Sequence, residues 1–258
     1  MQAVILCGGL GTRLREETEF RPKPMVKIGN MPILWHVMKI YAHQGVKDFV
    51  LCLGYKGEMI KEFFWNYEML NNDFTIELGQ DRRAIVHRSH DEKGWRVTLA
   101  DTGDKAQKGA RLKRIEKYIS VSDFFVTYGD GVADVDMRRL MEFHRAHGKL
   151  ATVTGVSAAA RFGELRIKGS TVESFSEKPT RSANLVNGGF FVFNRGIFDH
   201  LALDDSCDLE YGVLEHLARR GELMVYQHEG FWACMDTPRY MEHLNHLWEA
   251  RQAHWNIW

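Results

Sequence analysis

Cysteine is scarce. The four in this 258-residue chain, Cys7, Cys52, Cys207 and Cys234, lie far apart, without the paired spacing of a zinc site or a redox motif. Reduced, mostly buried thiols are expected. An excess of charge is also missing. Thirty-four basic and 34 acidic side chains cancel, so no global field gathers nucleic acid or anionic lipid, and any anion site must be local. Long apolar runs are missing too. The opening run, Val4 to Cys7, has no basic region before it and is too short for a signal peptide or a membrane span. The expectation is a cytoplasmic protein with neither nucleic acid nor membrane as partner. There is no internal repeat, low-complexity tract or linker to mark a second domain. No Gly-x-Ser-x-Gly elbow supports a hydrolase. His243 and His246 stand three apart but lack a carboxylate or cysteine partner nearby, which sets zinc aside.

What is present is the balance of a globular protein, 45% hydrophobic and 26% charged. The length allows a sizeable core in one domain over residues 1–258. Gln2 to Cys7 reads as a buried parallel strand. Pro32 opens a helix whose apolar residues, Ile33, Leu34, Val37, Met38 and Tyr41, recur at helical spacing until Gly45. A strand at Lys47 to Leu53, a helix at Gly57 to Tyr67, a strand at Phe124 to Tyr128 and a helix at Asp136 to His147 continue the alternation. This pattern predicts a mostly parallel α/β sheet flanked by helices. Residues 74–101 hold three β-like segments (FTIEL, AIVHR, WRVTLA) and are read as a small antiparallel insertion. Further on come a strand at Ala151 to Val156, a hairpin over 164–177 turning at Gly169 and Ser170, an apolar strand at 187–193, and a helix from Pro238 to Gln252 with a stripe of Tyr240, Leu244, Leu247 and Trp248. Trp35, Trp65 and Trp248 fall in apolar helical patterns and are expected in the core. The terminal HWNIW is a candidate for packing on a neighbouring subunit.

The stretch behind the first strand, LCGGLGTRLREETEFRPKP (residues 6–24), carries the chemistry. Gly8, Gly9 and Gly11 let backbone N–H groups approach an anion where a β-carbon would block them, and phosphate is the natural candidate. No Gly-Lys-Ser/Thr follows and the third glycine of the dinucleotide fingerprint is missing, so kinase and NAD readings lose ground. The loop supplies Arg13 instead, and Lys23 between two prolines; two fixed cations suit a polyphosphate. Taken alone, it also reads as a glycine-rich turn with solvated cations.

With GGLGTRL and PKP both in place, the sequence resembles the sugar nucleotidylyltransferases. The resemblance continues through DTGDKAQKGARLKR, TYGDGVADVD, RFGEL, EKP, NGGFFVF and FWACMDT, and covers nearly the whole chain. It implies a single nucleotidylyltransferase domain with a Rossmann-like sheet. The set looks most like the branch that joins CTP to α-D-glucose 1-phosphate, giving CDP-glucose and pyrophosphate with Mg2+. A homo-oligomer is implied as well. Two departures are visible. Lys108-Gly109-Ala110-Arg111 stands where the branch usually has paired glycines before the arginine, so a methyl group there tightens or shifts the base pocket. Cys7 replaces a commoner alanine and is read as facing the core.

Nucleotidyl transfer requires in-line attack by the sugar phosphate oxygen on the α-phosphorus while pyrophosphate leaves opposite, and positioned cations suffice to catalyse it. The resemblance assigns Arg13 to the leaving pyrophosphate and Lys23 to the α-phosphate and sugar phosphate. Asp130 and Asp236 are the carboxylates chosen for Mg2+, a hard ion satisfied by oxygen ligands and water. Locally, Asp130 also reads as a turn aspartate after its strand, and Asp236 as a cap of the helix near Pro238, a role open to Thr237 as well. The nucleotide is expected on Leu6, Gly8, Gly9, Gly11, Thr12, Thr102, Gly103, Arg111 and Gly129, although Arg111 alone also reads as a solvated helix arginine. The sugar phosphate is expected on Tyr128, Gly163, Glu177, Lys178, Asn187, Gly188 and Gly189, the last three also readable as a plain turn. Two other functions remain open: a sister enzyme using another nucleotide or acceptor, and a catalytically silent sugar-nucleotide-binding protein.

Overall fold

The apolar opening run forms strand β1 (Gln2–Leu6), buried along its whole length. The computed structural model describes residues 1–79, 83–87, 91–157, 164–168, 171–176 and 185–258. Around β1 lies a seven-stranded sheet completed by β2 (Asp48–Leu53), β3 (Arg96–Asp101), β4 (Asp123–Tyr128), β5 (Ala151–Ser157), β6 (Leu185–Asn194) and β7 (Leu223–His228). The spatial order is β7-β5-β6-β4-β1-β2-β3. β1 pairs in parallel with β2 and β4, β2 with β3, and β5 with β7; β6 runs antiparallel to both its neighbours. The mostly parallel sheet flanked by helices is as expected.

Alternation along the strands divides the core in two. Ala3, Ile5, Phe49, Leu51, Phe125, Phe190 and Val192 enter one half, with α1 (Ile33–His43), α2 (Gly57–Trp65), α4 (Met137–His147) and α5 (Pro238–Glu249) on that side of the sheet. Val4, Leu6, Val50, Phe124, Val126, Phe191 and Phe193 enter the other, under α3 (Lys108–Arg114) and the segment from Ile197 to Leu217. Each fully buried phenylalanine of β6 contributes roughly 1.5–3 kcal/mol, so this reversed strand is anchored from both sides. Asp136 caps α4 by accepting from the N–H groups of Arg138 and Arg139, and Gly148, at φ +65°, ends it.

The antiparallel insertion is smaller than expected. Phe74–Glu77 pairs with Arg83–Val86, but the third segment is β3, the parallel edge of the main sheet. Val97 and Leu99 pack on one half of the core and Ala100 on the other, while the end residues Arg96 and Asp101 are exposed; the alternating apolar residues of the sequence fit this strand and a hairpin strand alike. The 164–177 hairpin is present as Glu164–Lys168 against Thr171–Ser176; its turn, Gly169 and Ser170, lies outside the described residues.

Two tryptophan expectations change. Trp65 is 85% exposed at the end of α2, since among the described residues no element covers its side chain. The terminal HWNIW is used within its own chain: Trp255 is fully buried against Phe231 and Trp248, and Trp258 meets Trp35 edge-on. Among the described residues, no helix is long and apolar enough to cross a membrane.

Candidate active site

The chain leaves β1 for β2 and β3 on one side and later returns to β4 on the other. The crevice between the carboxyl ends of β1 and β4 is therefore the switch point of the sheet, where α/β proteins place ligands. A cavity of about 440 Å³ opens there. Leu6, Gly8, Gly9 and Gly11 line it from β1, and Tyr128, Gly129 and Asp130 from β4. Asn187, Gly188 and Gly189 come from the start of β6, whose reversed direction brings its first residues to this end of the sheet. Arg13, Lys23 and Asp236 also line it. Gly129 is held where its N–H donates to the carbonyl of Leu6 (3.1 Å), and a β-carbon on it would crowd Pro24.

Lys23 occupies the centre of the charged wall. Its Pro22-Lys23-Pro24-Met25 stretch is a tight turn, closed by the N–H of Met25 donating to the carbonyl of Pro22 (2.8 Å). The ammonium lies 2.5 Å from Asp130 Oδ2 and 2.6 Å from Asp236 Oδ1, and Arg13 Nη1 lies 2.7 Å from Asp236 Oδ2. Burial opposes the charge of Lys23, but the two carboxylates outweigh it and raise its pKa. Burial likewise works against ionised Asp236, and Lys23 and Arg13 reverse this and lower its pKa. The two aspartates are brought together by an antiparallel ribbon, Gly131–Ala133 against Trp232–Cys234, and by the N–H of Met235 donating to the carbonyl of Asp130 (2.9 Å). Thr237, not Asp236, caps α5, which leaves the aspartate to the cleft.

The donor set suits a hard divalent cation. Oxygens of Asp130 and Asp236 and the sulfur of Cys234 lie within 4.8 Å of one another. The two carboxylates are the ligands such an ion prefers, whereas a thiol is a poor one. Burial pushes the Cys234 thiol pKa well up, and both aspartates add to it.

Four of the expected nucleotide residues do not line the cleft. Thr12 is exposed on the turn after Gly11. Arg111 is 1% exposed, neither solvated nor open to a ligand. Its Nη1 donates to the carbonyls of Leu53 (3.0 Å) and Gly103 (2.7 Å) and to Thr102 Oγ1 (3.0 Å), and its Nη2 to the carbonyl of Asp104 (3.1 Å). Desolvation lowers its pKa. The guanidinium presses against Gly8 and Gly54 so closely that a β-carbon on either would overlap it. It is a strut, binding Thr102 and Gly103 to the underside of the glycine loop. Ala110 is fully buried and donates its N–H to the carbonyl of Cys207 (3.0 Å), so the departure from paired glycines lies beneath the helix. Cys7 faces the core as expected, 2% exposed, and burial raises its pKa. Gly163, Glu177 and Lys178 lie outside the described residues.

The structure adds Gln107, Lys108, Trp232 and Cys234 to the cleft lining. Lys108 pairs with Glu210, which also accepts from the hydroxyl of Tyr128. The sequence offers one signal for Lys108, its place in the KGAR segment, and none for Glu210, a hundred residues away.

A family model described as nucleotidyl transferase matches residues 2–250. The chain is 49% identical over 259 residues to the glucose-1-phosphate cytidylyltransferase of Salmonella typhimurium, covering 100% of both chains. It is 42% identical over 258 residues to the probable glucose-1-phosphate cytidylyltransferase of Bacillus subtilis, again covering 100% of both. Among solved structures, HddC from Yersinia pseudotuberculosis superposes with a TM-score of 0.70 at 23% identity, over 96% of this chain and 99% of that one, a likeness of fold.

Proposed function

Because the chain belongs to the nucleotidyl transferase family, we propose that it transfers the cytidylyl group of CTP to α-D-glucose 1-phosphate with Mg2+, giving CDP-glucose and pyrophosphate. The observation that carries the reaction type is the convergence of Lys23, Asp130, Asp236 and Arg13, from three separate segments, on the mouth of a glycine loop at the sheet's switch point. The choice of CTP and glucose 1-phosphate follows the full-length similarity to enzymes so named.

In this mechanism an oxygen of the sugar phosphate attacks the α-phosphorus, the bond to the β-phosphate breaks, and pyrophosphate carries away the electron pair. Gly8, Gly9 and Gly11 receive the triphosphate on backbone N–H groups, with Arg111, Thr102 and Gly103 holding the loop from below. Arg13, whose side chain is largely exposed, is free to leave Asp236 for the pyrophosphate. Lys23 turns from its carboxylates to the α-phosphate and sugar phosphate, where negative charge gathers in the transition state. Asp130 and Asp236, released from Lys23, would hold Mg2+, which supplies further neutralisation of phosphate charge when bound. Lys178 and Glu177 are assigned to the phosphate and hydroxyls of the sugar, Gly163 to close approach beside it, and Tyr128 and Asn187–Gly189 to its floor.

The test is pyrophosphate release from purified protein with glucose 1-phosphate and Mg2+, comparing CTP, UTP, dTTP, ATP and GTP. Strong release with CTP alone is expected. Release with another nucleotide would keep the chemistry and discard the base assignment; none with any nucleotide or sugar phosphate would leave a binding protein.

A further inference from the structure

Behind the cleft, Glu210 joins two of its walls. It belongs to the irregular helical segment Leu209–Leu214, kinked at Tyr211 and at Gly212, where φ is +121°. The loop leading into it is docked on the start of α3: the carbonyls of Asp205 and Cys207 accept from the N–H groups of Gln107 (2.8 Å) and Ala110 (3.0 Å), and a β-carbon on Gly109 would strike Cys207. One carboxylate oxygen, Oε1, takes both the ammonium of Lys108 and the hydroxyl hydrogen of Tyr128. Lys108 also lies 5.2 Å from the centre of the Tyr128 ring. The second oxygen, Oε2, is buried with no hydrogen-bond partner among the described residues, a costly arrangement in a carboxylate.

The directions of these bonds follow from the groups. With Lys108 beside it, Glu210 is an ionised acceptor, so the Tyr128 hydroxyl must donate to it and has only lone pairs left for other partners. Asn187 Nδ2 donates to that hydroxyl (3.3 Å), which turns the amide oxygen the other way, to accept the N–H of Gly189 (2.8 Å). Gly189 sits at φ +78° directly on the Tyr128 ring, where a β-carbon would lie 2.6 Å from Cδ2. The carbonyl of Gly188 takes the indole N–H of Trp232 (2.7 Å). The carboxylate at one end and the N–H of Gly189 at the other thus set the polarity of a chain running from Lys108 to the backbone of Gly189, and leave Asn187 a second N–H to offer.

We infer that Glu210 is a positioning residue for the sugar-phosphate side of the cleft: it acts through Tyr128 and fixes Asn187 as a hydrogen-bond donor toward a substrate oxygen. The inference rests on the proposed reaction. Without the acceptor at 210, the tyrosine hydroxyl loses its fixed partner and Asn187, still held by the N–H of Gly189, loses the lone pair that aligns its Nδ2.

A double-mutant cycle on the full-length protein tests this by pyrophosphate release, varying glucose 1-phosphate at saturating CTP, with melting temperatures measured in parallel. Glu210→Leu is expected to raise KM for the sugar phosphate about tenfold, the scale of a hydrogen bond to a charged group. Tyr128→Phe should do the same, and the double variant should be no worse than either single one, since both break one chain. Glu210→Gln, whose amide oxygen accepts the same bond, should return KM to within about threefold of the parent. Additive effects of Glu210→Leu and Tyr128→Phe would overturn the inference, as would a fall in melting temperature with KM unchanged, or a Gln variant as impaired as the Leu one. A wild-type protein that releases no pyrophosphate would overturn the reaction and this inference with it; wild-type turnover with an additive cycle overturns the inference alone.

Discussion

At the scale of single residues, charge and burial give the site its character. Asp130 and Asp236 are largely buried, yet neither is part of the packed core, so their loss should weigh on chemistry more than on folding. Asp130→Ala or Asp236→Ala is expected to abolish metal-dependent pyrophosphate release and move the melting temperature by only a few degrees. Full activity in both would remove them from the metal site. His36 sets a different limit. Its Nε2 donates to the carbonyl of Ile28 (3.0 Å) and its Nδ1 accepts the indole N–H of Trp255 (3.4 Å), so the neutral ring is satisfied on both sides. Burial holds its pKa down at about 4, and burial does the same for His144. In the unfolded chain both take up a proton near pH 6.5. The unfolded state therefore binds more protons between about pH 6.5 and 4, and stability falls as pH drops through that window, by up to about 1.4 kcal/mol per pH unit for each ring. Melting temperatures from pH 7.5 to 5 should show the decline, and His36→Asn should make it shallower. An unchanged slope would refute the assignment to His36.

At the scale of elements, the C-terminal tail behaves as part of the core. Trp248 fits over Gly29, Asn245 accepts from the N–H of Gly29 (2.9 Å), and Trp255 closes over His36. The contacts of Trp248 and Asn245 brace the short ribbon Lys27–Ile28/Met31–Pro32 that follows Lys23, and the helix carrying these two residues begins directly after Asp236 and its neighbour Thr237. Trp255→Ala is expected to cost roughly 3–5 kcal/mol, near 10 °C in melting temperature for a chain of this size, as read by calorimetry. A shift under about 2 °C would mean that the tail packs loosely. The glycine loop and the alternation of strands and helices were legible in the sequence because they are local: glycine spacing and apolar period carry them. What was not legible depends on neighbours. Arg96–Asp101 has the period of any half-buried strand, and only its pairing with Asp48–Leu53 makes it a sheet edge. Trp65 has helical spacing, but spacing does not say whether a second element covers that face. Arg111 and Lys108 could be picked out as cations, yet one props a loop and the other answers a carboxylate 102 residues away.

At the scale of the whole molecule, balanced charge leaves shape and apolar surface to govern association. The ribbon Phe74–Glu77/Arg83–Val86 stands largely in solvent, with Phe74, Ile76 and Val86 exposed on one face. Two strands alone are marginal in water, and exposed apolar residues so grouped favour an interface. Were this face to bury against a second copy, Ile76→Asp with Val86→Asp would lower the sedimenting mass while leaving the far-ultraviolet circular dichroism unchanged; an unaltered mass would show that it does not.

The clamp on Lys23 bears on the order in which the working site is assembled. Its ammonium lies between the two carboxylates proposed to hold a divalent cation, so the protein carries its own counter-ion. A free cation entering first must evict that ammonium and leave it buried beside nothing of opposite sign. A cation already chelated by a triphosphate brings the replacement anion along, and the exchange of salt partners is then balanced. On the proposed reading, Asp130 and Asp236 would receive a cation already carried by the nucleotide, and Lys23 would pass from them onto the phosphates in the same exchange.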